Sequence, residues 1–400
     1  MIPFEEALQK VLNHTYPLSA ENISFMDSCG RVLAKDIFSD MDMPPFDKSA
    51  VDGYACRLED IKSNSDSDNY QVLQCIESIP AGKIPKIRIK QGQCSKIMTG
   101  GMIPEGADCV VMVEDIEEID TGLIQIMNTK TARNICVKAE DIVSGDKVIS
   151  GGTIIQPQHI AVLASVGAVN PMVFKKVNVC VLSTGDELVE PDILPTLSKI
   201  RNSNSYQLMA QLSQVGALPH YGGIVADTES ALLSAITDNL EENEIVILTG
   251  GVSMGDMDYL PKVLKDMGVD IIFKNISIQP GKPTLFGMKG QQYIFGLPGN
   301  PVAAYVLFEI LVKPFIRKMM GITKPDPIIK LPVGKNFERK KSSRKSMIPV
   351  KIIDGMIFPI EYHGSAHIQA YTHADGIISM NIGENLIKKG VHVEVIQLKH

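Results

Sequence analysis

Three glycine-rich segments in the middle of the chain each directly follow an apolar run, and together they supply bare backbone amides and carboxylates. They span residues 183–188, 249–258 and 296–301. Because a parallel sheet gathers the loops at its strand ends along one edge, we expect the three segments to line one site. Exposed amides bind phosphate and carboxylates bind Mg²⁺, so the pattern predicts a site that holds a phosphate together with a metal ion.

The first two segments carry the acidic residues. Asp186 and Glu187 follow Thr184 and Gly185 just past an apolar run, where two carboxylates could hold Mg²⁺ against a bound phosphate. Taken alone, this turn could equally be a solvated one. The second segment adds amides and oxygen ligands of the same kind: Gly250, Gly251, Ser253, Asp256 and Asp258. Two such loops on one sheet favour the functional interpretation.

Further candidates differ in strength. Lys282 lies between prolines in the string Pro-Gly-Lys-Pro, which would hold the cation in place to bind an anion. An ordinary hairpin can have the same sequence. The third segment aims a helix N-terminus, capped by Asn300, at the same edge. In the N-terminal half, Asp52 and Thr99 lie in glycine-containing turns that alone read as loops. The basic run 335–345 reads as a solvated hairpin, with weak anion steering as the alternative.

The elements that position these loops follow from the hydrophobic periodicity. Helical spacing predicts an amphipathic helix over residues 3–14, and residues 30–170 read as mostly β. Four strands are predicted in that region: 70–76, 84–89, 109–113 and 122–126. After residue 325 the period returns to two, and the predicted strands 328–333, 347–353, 356–360 and 391–398 indicate a small barrel or sandwich.

Between residues 175 and 320 strands and helices alternate, which predicts a doubly wound α/β sheet. The predicted strands are 177–182, 223–226, 244–248, 269–273 and 292–297. The predicted helices are 208–215 with Asn204 as cap, 229–240 with Thr228 as cap, 259–267, and 302–312 with Asn300 as cap.

Composition limits the function classes. The chain has 400 residues with a net charge of −7, which favours several domains and argues against a nucleic-acid partner. Seven scattered cysteines, with no Cys-x-x-Cys pair, argue against a disulfide framework and a structural zinc site. The acidic N-terminus and the lack of a long apolar run predict a cytoplasmic protein with no membrane partner. P-loop, dinucleotide-binding, α/β-hydrolase and zincin motifs are absent from the sequence.

The ordered set of motifs resembles the MoeA family of molybdopterin molybdotransferases, which is related to the gephyrin E domain. The matching strings start at Pro45, Ser49, Asp52, Ile97, Pro104, Glu140, Ser183, Gly250, Pro280 and Gly296. The resemblance implies a multidomain α/β and β fold with a two-lobed, mostly β N-terminal region over 1–172 and an inner β lobe at about 44–140. It further implies a central MogA-like α/β domain over 173–324 and a small C-terminal β-barrel domain over 325–400.

The resemblance also implies a function. MoeA proteins insert molybdate into adenylylated molybdopterin with Mg²⁺-dependent release of AMP, as homodimers whose cleft joins the central domain of one subunit to the N-terminal region of the other. Molybdopterin adenylyltransferase and molybdoenzyme apoproteins are then expected partners. The implied catalytic residues are Asp52, Thr99, Asp141, Glu187, Asp258 and Lys282, and the implied metal ligands are Asp186, Glu187, Asp256 and Asp258. The implied cofactor-binding residues are Thr184, Gly185, Ser203, Asn204, Gly250, Gly251, Ser253, Pro280, Gly281, Pro298, Gly299, Asn300, Pro301 and Ser365.

Several positions depart from the family pattern where an oxyanion would need donors. Gln279 and Pro349 stand where a lysine and an arginine are expected, Ala303 replaces a serine, and Cys136–Ala139 replaces an arginine-rich, glycine-ended stretch. Loss of two cations and a hydroxyl would weaken molybdate binding by roughly a few kcal/mol. A reduced-activity or non-catalytic molybdopterin-binding scaffold is therefore an open alternative, and a nucleotide pyrophosphatase or deamidase on the same central fold is a further one.

Overall fold

The computed structural model describes residues 1–62, 71–251, 259–324, 326–360 and 367–398. The first helix, α1 (Phe4–Asn13), confirms the predicted amphipathic segment. It buries Phe4, Ala7 and Val11 in the largest hydrophobic core, which it shares with the central sheet. No helix within these described ranges is both long and apolar enough to cross a bilayer.

The rest of the N-terminal region is mostly β, and its described residues include two further α-helices, α2 (Leu58–Lys62) and α3 (Pro157–Ser165). Its strands are β1 (Ala20–Asn22), β2 (Ile37–Phe38), β3 (Lys48–Ser49), β4 (Gly53–Cys56), β5 (Gln71–Ile79), β6 (Gln93–Ile97), β7 (Cys109–Met112), β8 (Ile116–Asp120), β9 (Leu123–Ile126), β10 (Ile135–Cys136), β11 (Lys147–Ile149) and β12 (Met172–Phe174). A six-stranded sheet of order β7-β4-β6-β5-β9-β8 forms an inner lobe. Two hydrophobic clusters made only of residues between 51 and 135 hold this lobe together.

One predicted strand of this lobe is wrong. Residues 84–89 form no strand, because Pro85 lacks an amide hydrogen and the neighbouring amides are already used. The backbone N–H groups of Lys86 and Ile87 donate to the Glu77 carboxylate at 3.1–3.2 Å. The Glu77 side chain thus accepts the hydrogen bonds that a neighbouring strand would otherwise accept.

The central region alternates strands and helices, as predicted. Its strands are β13 (Asn178–Thr184), β14 (Leu188–Val189), β15 (Ile200–Arg201), β16 (Leu218–Val225), β17 (Ile245–Thr249), β18 (Asp270–Asn275), β19 (Ile278–Gln279), β20 (Pro283–Lys289) and β21 (Gln292–Leu297). Its helices are α4 (Asn204–Val215), α5 (Glu229–Glu242), α6 (Leu260–Asp266), α7 (Pro301–Leu307) and α8 (Lys313–Met319), with a π-helical stretch (Phe308–Val312) between the last two.

The central sheet has the order β16-β13-β17-β21-β20-β18. The first four strands are parallel to one another, whereas β20 runs antiparallel to both of its neighbours, β21 and β18. The sequence did not indicate β20, and it is this strand that makes the sheet mixed rather than wholly parallel. Successive residues of β13 face opposite layers: Val179 and Val181 pack with α4, while Cys180 and Leu182 pack with α5 and α6. This two-sided burial explains why the strand reads as a continuous apolar run.

The C-terminal region is a small closed barrel, which settles the open choice between barrel and sandwich. Its strands are β22 (Ile329–Pro332), β23 (Phe337–Glu338), β24 (Lys345–Ile353), β25 (Met356–Pro359), β26 (Gly376–Met380), β27 (Leu386–Ile387) and β28 (His392–Gln397). Antiparallel ladders connect β25, β24, β26, β28 and β22 in that order. A bridge between Val333 and Ile357 then joins the two ends of the ladder and closes the ring.

Candidate functional site

The glycine-rich segments, the second only as far as Gly251, meet at the carboxyl ends of β13, β17 and β21. The Gly250 amide donates to the Leu297 carbonyl at 3.1 Å. The Asn204 side-chain amide donates to the Gly299 carbonyl at 2.8 Å, so the start of α4 is tied to the third loop. Asn204 is therefore the first helical residue and a loop clamp, not the helix cap that the sequence indicated. Asn300 does cap α7, since its side chain accepts from the Ala303 amide at 3.1 Å.

Two glycines allow this close approach. Gly250 has φ +89°, and a Cβ there would lie 2.2 Å from the Thr184 carbonyl oxygen. Gly185 has φ +149°, and a Cβ there would lie 2.5 Å from a Glu187 carboxylate oxygen. Both positions have a backbone conformation that favours glycine. Only at Gly250 is the contact with a different loop, since Glu187 belongs to the same segment as Gly185. Packing, as well as ligand chemistry, thus explains why glycine occupies these positions.

A pocket of about 110 Å³ lies between these loops, and we name it the strand-end pocket. Its lining includes six residues that the sequence singled out: Thr184, Glu187, Ser203, Asn204, Gly299 and Pro301. Asp186 and Glu187 are exposed, and their carboxylates make no hydrogen bond or ion pair to any other described residue. Two exposed carboxylates with unused oxygen atoms suit a hydrated Mg²⁺ ion.

The remaining acidic candidates, Asp256 and Asp258, lie outside the described residues, as does Ser253. Within the described ranges, no three His, Cys, Asp or Glu side chains cluster as a metal site would require. The two described carboxylates therefore fit a metal ion only in combination with further ligands.

A buried hydrogen-bond network lies behind the strand-end pocket, and sequence reasoning missed it. The Asn202 carboxamide oxygen accepts from the Ser183 hydroxyl at 3.0 Å, and its nitrogen donates to the Tyr221 hydroxyl at 3.1 Å. Tyr221 in turn donates to Glu190 at 2.5 Å. Burial, reinforced by the bond to Glu190, raises the pKa of Tyr221. The Ser183 hydroxyl also contacts Thr249 at 3.1 Å, so the network joins the ends of β13 and β17.

A second, larger cavity lies on the other side of the third loop, and we name it the basic cleft. Its volume is about 770 Å³, and it separates the central sheet from the C-terminal barrel. The predicted residues that line it are Pro280, Gly281, Lys282, Pro298 and Asn300. Within the loop 298–301, alternate residues face the two cavities, because Gly299 and Pro301 line the strand-end pocket instead. Most described candidates of the central domain thus line two adjacent cavities with a shared wall, whereas Gly185, Asp186, Gly250 and Gly251 line neither.

Comparison with known proteins identifies the family. The chain matches models of the MoeA N-terminal region (domains I and II) over residues 2–167, of a probable molybdopterin binding domain over 180–318, and of the MoeA C-terminal region (domain IV) over 332–398. It is 34% identical over 399 residues to a molybdopterin molybdenumtransferase of Staphylococcus epidermidis, covering 99% of this chain and 95% of the relative. The chain belongs to the MoeA family.

Other relatives agree. A molybdopterin molybdenumtransferase of Staphylococcus aureus is 32% identical over 400 residues, with 99% of this chain and 95% of the relative covered. The crystal structure of a molybdopterin biosynthesis MoeA protein from Pyrococcus horikosii is 29% identical, covers all of both chains and has a TM-score of 0.85. The expected multidomain fold is therefore confirmed.

The MoeA N-terminal lobe holds the remaining described candidates. Asp52 accepts hydrogen bonds from the Thr99 amide at 2.6 Å and from its hydroxyl at 2.8 Å. These bonds, the amide first, lower the pKa of the Asp52 carboxyl. Asp141 is also exposed, and its amide donates to the Met43 carbonyl. No hydrogen bond or ion pair among the described residues joins residues 44–140 to the central domain of the same chain. Ser365 lies outside the described residues.

The positions that depart from the MoeA pattern have distinct surroundings. Gln279 is exposed at the rim of the basic cleft, and Ala303 lies buried in its wall. Pro349 is buried inside β24, opposite Ile377, and does not line the cleft. Ala139 has φ +61°, a left-handed conformation that fits the glycine expected there.

Proposed function

We propose that this protein is a molybdopterin molybdotransferase that acts in molybdenum cofactor biosynthesis. It would insert molybdate into adenylylated molybdopterin and release AMP. One observation carries the proposal: a small pocket lined by the Glu187 carboxylate and by hydroxyl and amide side chains shares the loop 298–301 with a large cleft lined by four cations, Lys282, Lys335, Arg339 and Arg344. Such a pair of cavities suits a substrate that has a phosphoanhydride at one end, for the small pocket, and a group that accepts an oxyanion at the other end, for the large cleft. The names of the relatives support the same activity.

The strand-end pocket would hold the phosphate link and the pterin side of the substrate. The backbone amides of Gly185 and Gly251, with Thr184, Ser203 and Asn204, would supply hydrogen-bond donors toward phosphate oxygens. The Gly250 amide already donates to the Leu297 carbonyl, so Gly250 would contribute a close backbone approach to the ligand instead. Asp186 and Glu187, together with Asp256 and Asp258, would hold Mg²⁺. When bound, this ion would supply charge neutralisation for the leaving phosphate. Ser253 and Ser365 complete the proposed binding set.

The basic cleft would hold molybdate beside the dithiolene sulfurs. Lys282 attracts the oxyanion, and the segment Pro280–Gly281 and the loop residues Pro298 and Asn300 shape the wall. The carboxylates across the wall repel an anion, so molybdate and the metal ion would be sorted by charge.

We further propose a homodimer in which Asp52, Thr99 and Asp141 of one subunit complete the site of the other. The inner lobe has its own hydrophobic clusters and no hydrogen bond or ion pair to the central domain of its own chain among the described residues, which supports completion in trans. The division into 1–172, 173–324 and 325–400 is part of this proposal, as are a cytoplasmic location and contacts with molybdopterin adenylyltransferase and molybdoenzyme apoproteins.

AMP release separates the candidate activities. Purified protein receives adenylylated molybdopterin and Mg²⁺, with and without molybdate. A molybdotransferase releases AMP only with molybdate, and a nucleotide pyrophosphatase releases it in either case. A scaffold binds the substrate without release, and either of these last two outcomes contradicts the proposal. No described feature favours the scaffold or the hydrolase.

Co-expression tests the dimer. Chains carrying Asp52→Asn and chains carrying Glu187→Gln receive different affinity tags, so that the mixed dimer can be purified through both. If sites form in trans, one of the two sites of the mixed dimer has no substitution, and we expect about half of the wild-type activity. Both parent dimers are expected to be nearly inactive. A mixed dimer as inactive as its parents would contradict completion in trans.

A further inference from the structure

A further cavity lies where the N-terminal region meets the central domain, and we name it the junction cavity. Its volume is about 310 Å³, which is enough for a small-molecule ligand. The N-terminal region contributes Arg31 to its lining, and the helices α4 and α8 contribute Gln214 and Arg317. No residue that we assign to the strand-end pocket or to the basic cleft lines it. The junction cavity is therefore separate from the two cavities of the proposed site.

The junction cavity carries positive charge that the described residues neutralise only in part. Five cations line it, namely Arg31, Lys175, Lys176, Lys313 and Arg317. Three of them have acidic partners, in the pairs Arg31–Glu21 (2.6 Å), Lys313–Glu309 (3.2 Å) and Arg317–Asp326 (2.9 Å). Lys175 and Lys176 form no ion pair with another described residue. Two unpaired cations at a concave site favour an anionic ligand.

The C-terminus of α4 also lies at this cavity, and a helix C-terminus attracts cations without any ligand. That attraction is weak, at about 0.3–1 kcal/mol. The carbonyl groups of Leu212 and Ser213 moreover have a donor already, the backbone amide of Gly216. The helix end thus explains part of the positive charge, and stability and ligand binding have to be measured separately.

Apolar groups form much of the remaining wall. Phe174 is fixed there, because its carbonyl accepts from Arg31 at 2.8 Å and its ring lies against the backbone of Gly321, where a Cβ would be 2.2 Å from the ring. The other apolar lining residues are Val32, Ile154, Val215, Met320 and Ile322. An inorganic oxyanion is too small to contact this wall and the lysines together. An anion with an organic body would gain from burying apolar surface against it.

We propose that the junction cavity binds a small organic phosphate. A phosphate monoester carries roughly two negative charges at neutral pH, which matches the two unpaired lysines, Lys175 and Lys176. Arg31 contributes as well, since its bonds to Glu21 and to the Phe174 carbonyl both use Nη2 and leave the donors of the other two nitrogens. The ring of Phe174 contacts the organic part. The ligand is held between the N-terminal region and the central domain.

Titration calorimetry of the full-length protein with AMP tests this assignment. The double variant Lys175→Ala/Lys176→Ala lacks both unpaired charges, so the wild type should bind one more AMP per chain than this variant does. Loss of one charge-assisted hydrogen bond predicts that Lys176→Ala alone binds this AMP roughly tenfold more weakly. Lys35→Ala is the matched control, because Lys35 is an exposed lysine of the same region that does not line the cavity. We expect it to bind AMP as the wild type does.

Lys176→Arg guards against a folding artefact, since it keeps the charge. We expect it to bind AMP more tightly than Lys176→Ala does, with all variants folded at the temperature of the titration. If the lysines serve only the end of α4, the double variant unfolds at a lower temperature but binds AMP as the wild type does, and the assignment is overturned. It is also overturned if Lys35→Ala weakens binding equally, if inorganic phosphate binds as tightly as AMP, or if the wild type binds no AMP at millimolar concentration.

The failure of this inference and that of the proposed function are distinguishable. The proposed function adds a site for AMP as product at the strand-end pocket, and the lysine substitutions leave that site unchanged. Molybdate-dependent AMP release, with equal AMP stoichiometry in the wild type and the double variant, would overturn the inference and leave the function standing. Loss of one bound AMP in the double variant, without molybdate-dependent AMP release by the wild type, would support the junction cavity and overturn the function.

Discussion

The strand-end pocket and the basic cleft share one loop but are built in different ways. The pocket is made of loops that follow successive strands of one sheet, and its polar side chains bond to one another. The cleft is made of two domains joined by the pairing of β19 with β24, and its cations have no described acidic partners. The first is thus a local consequence of sheet topology, whereas the second depends on how two domains pack. The four-residue loop 298–301 thus separates the Glu187 carboxylate of the pocket from the cations of the cleft.

The largest effect should come from the carboxylate of the strand-end pocket. Glu187→Gln keeps the size of the side chain and removes the charge that we assign to metal binding, so we expect AMP release to fall on the order of a thousandfold. Molybdate binding in the cleft should stay within twofold of the wild type. Calorimetry and AMP release on the same preparation measure both.

Glu229→Gln serves as the control, because Glu229 is an acid of the same domain that pairs with Lys262 on the surface. Its AMP release should be unchanged. Equal losses in the two variants would indicate a general charge effect and would remove the distinction between the two cavities.

A second prediction concerns the packing that holds the shared wall. Gly250→Ala combines an unfavourable φ with a Cβ 2.2 Å from the Thr184 carbonyl oxygen, and we expect it to lower the free energy of unfolding by about 3 kcal/mol. Gly216→Ala has a similar φ of +88° at the end of α4 but meets no atom within 4 Å, so it should lose only about 1 kcal/mol. Urea denaturation measures both, and equal losses would show that loop contact adds nothing at Gly250.

The same contrast explains what could be predicted from the sequence. The strands before Gly185, Gly250 and Pro298 read as apolar runs, and parallel topology brings their ends together, so the contents of the strand-end pocket were largely predictable. Arg344 was not, because its place at the cleft depends on a two-residue pairing between distant segments. The buried network was missed for another reason: Asn202 and Tyr221 carry no spacing signal, and only the fold makes them neighbours.

The errors in the fold predicted from the sequence have similar causes. The segment 84–89 has apolar residues at strand spacing, but Glu77 takes its amides and Pro85 interrupts it. The strand β20 begins with a proline and contains Gly287, so it resembles a turn although it pairs with both β21 and β18. In both cases a tertiary partner decided the outcome, and local propensity was overridden.

A smaller effect is expected from the network behind the pocket. Tyr221→Phe removes a hydroxyl that bonds to the buried Asn202 and to Glu190 in a partly buried setting, and we expect a loss of about 1 kcal/mol in unfolding free energy. Tyr206→Phe removes the other hydroxyl that donates to Glu190, but Tyr206 is 43% exposed, so the loss should be a few tenths of a kcal/mol. Equal losses would show that the network does not support the pocket more than any surface hydrogen bond does.

The smallest effect concerns Asp52, the carboxylate that we assign to the strand-end pocket of the opposite subunit. Thr99→Val removes the hydroxyl donor and keeps the backbone donor, so the pKa of Asp52 should rise part of the way toward its ordinary value. Because the native pKa lies below the unfolded one, the bonds from Thr99 stabilise the fold above the unfolded pKa, and this contribution is lost as pH falls through the native value. NMR titration of the Asp52 carboxyl measures the shift, with Thr131→Val, an exchange at a threonine whose hydroxyl does not bond to Asp52, as the control. An unchanged pKa in Thr99→Val would assign the lowering to the backbone amide alone, and Asp52 would then depend on the turn rather than on the Thr99 side chain.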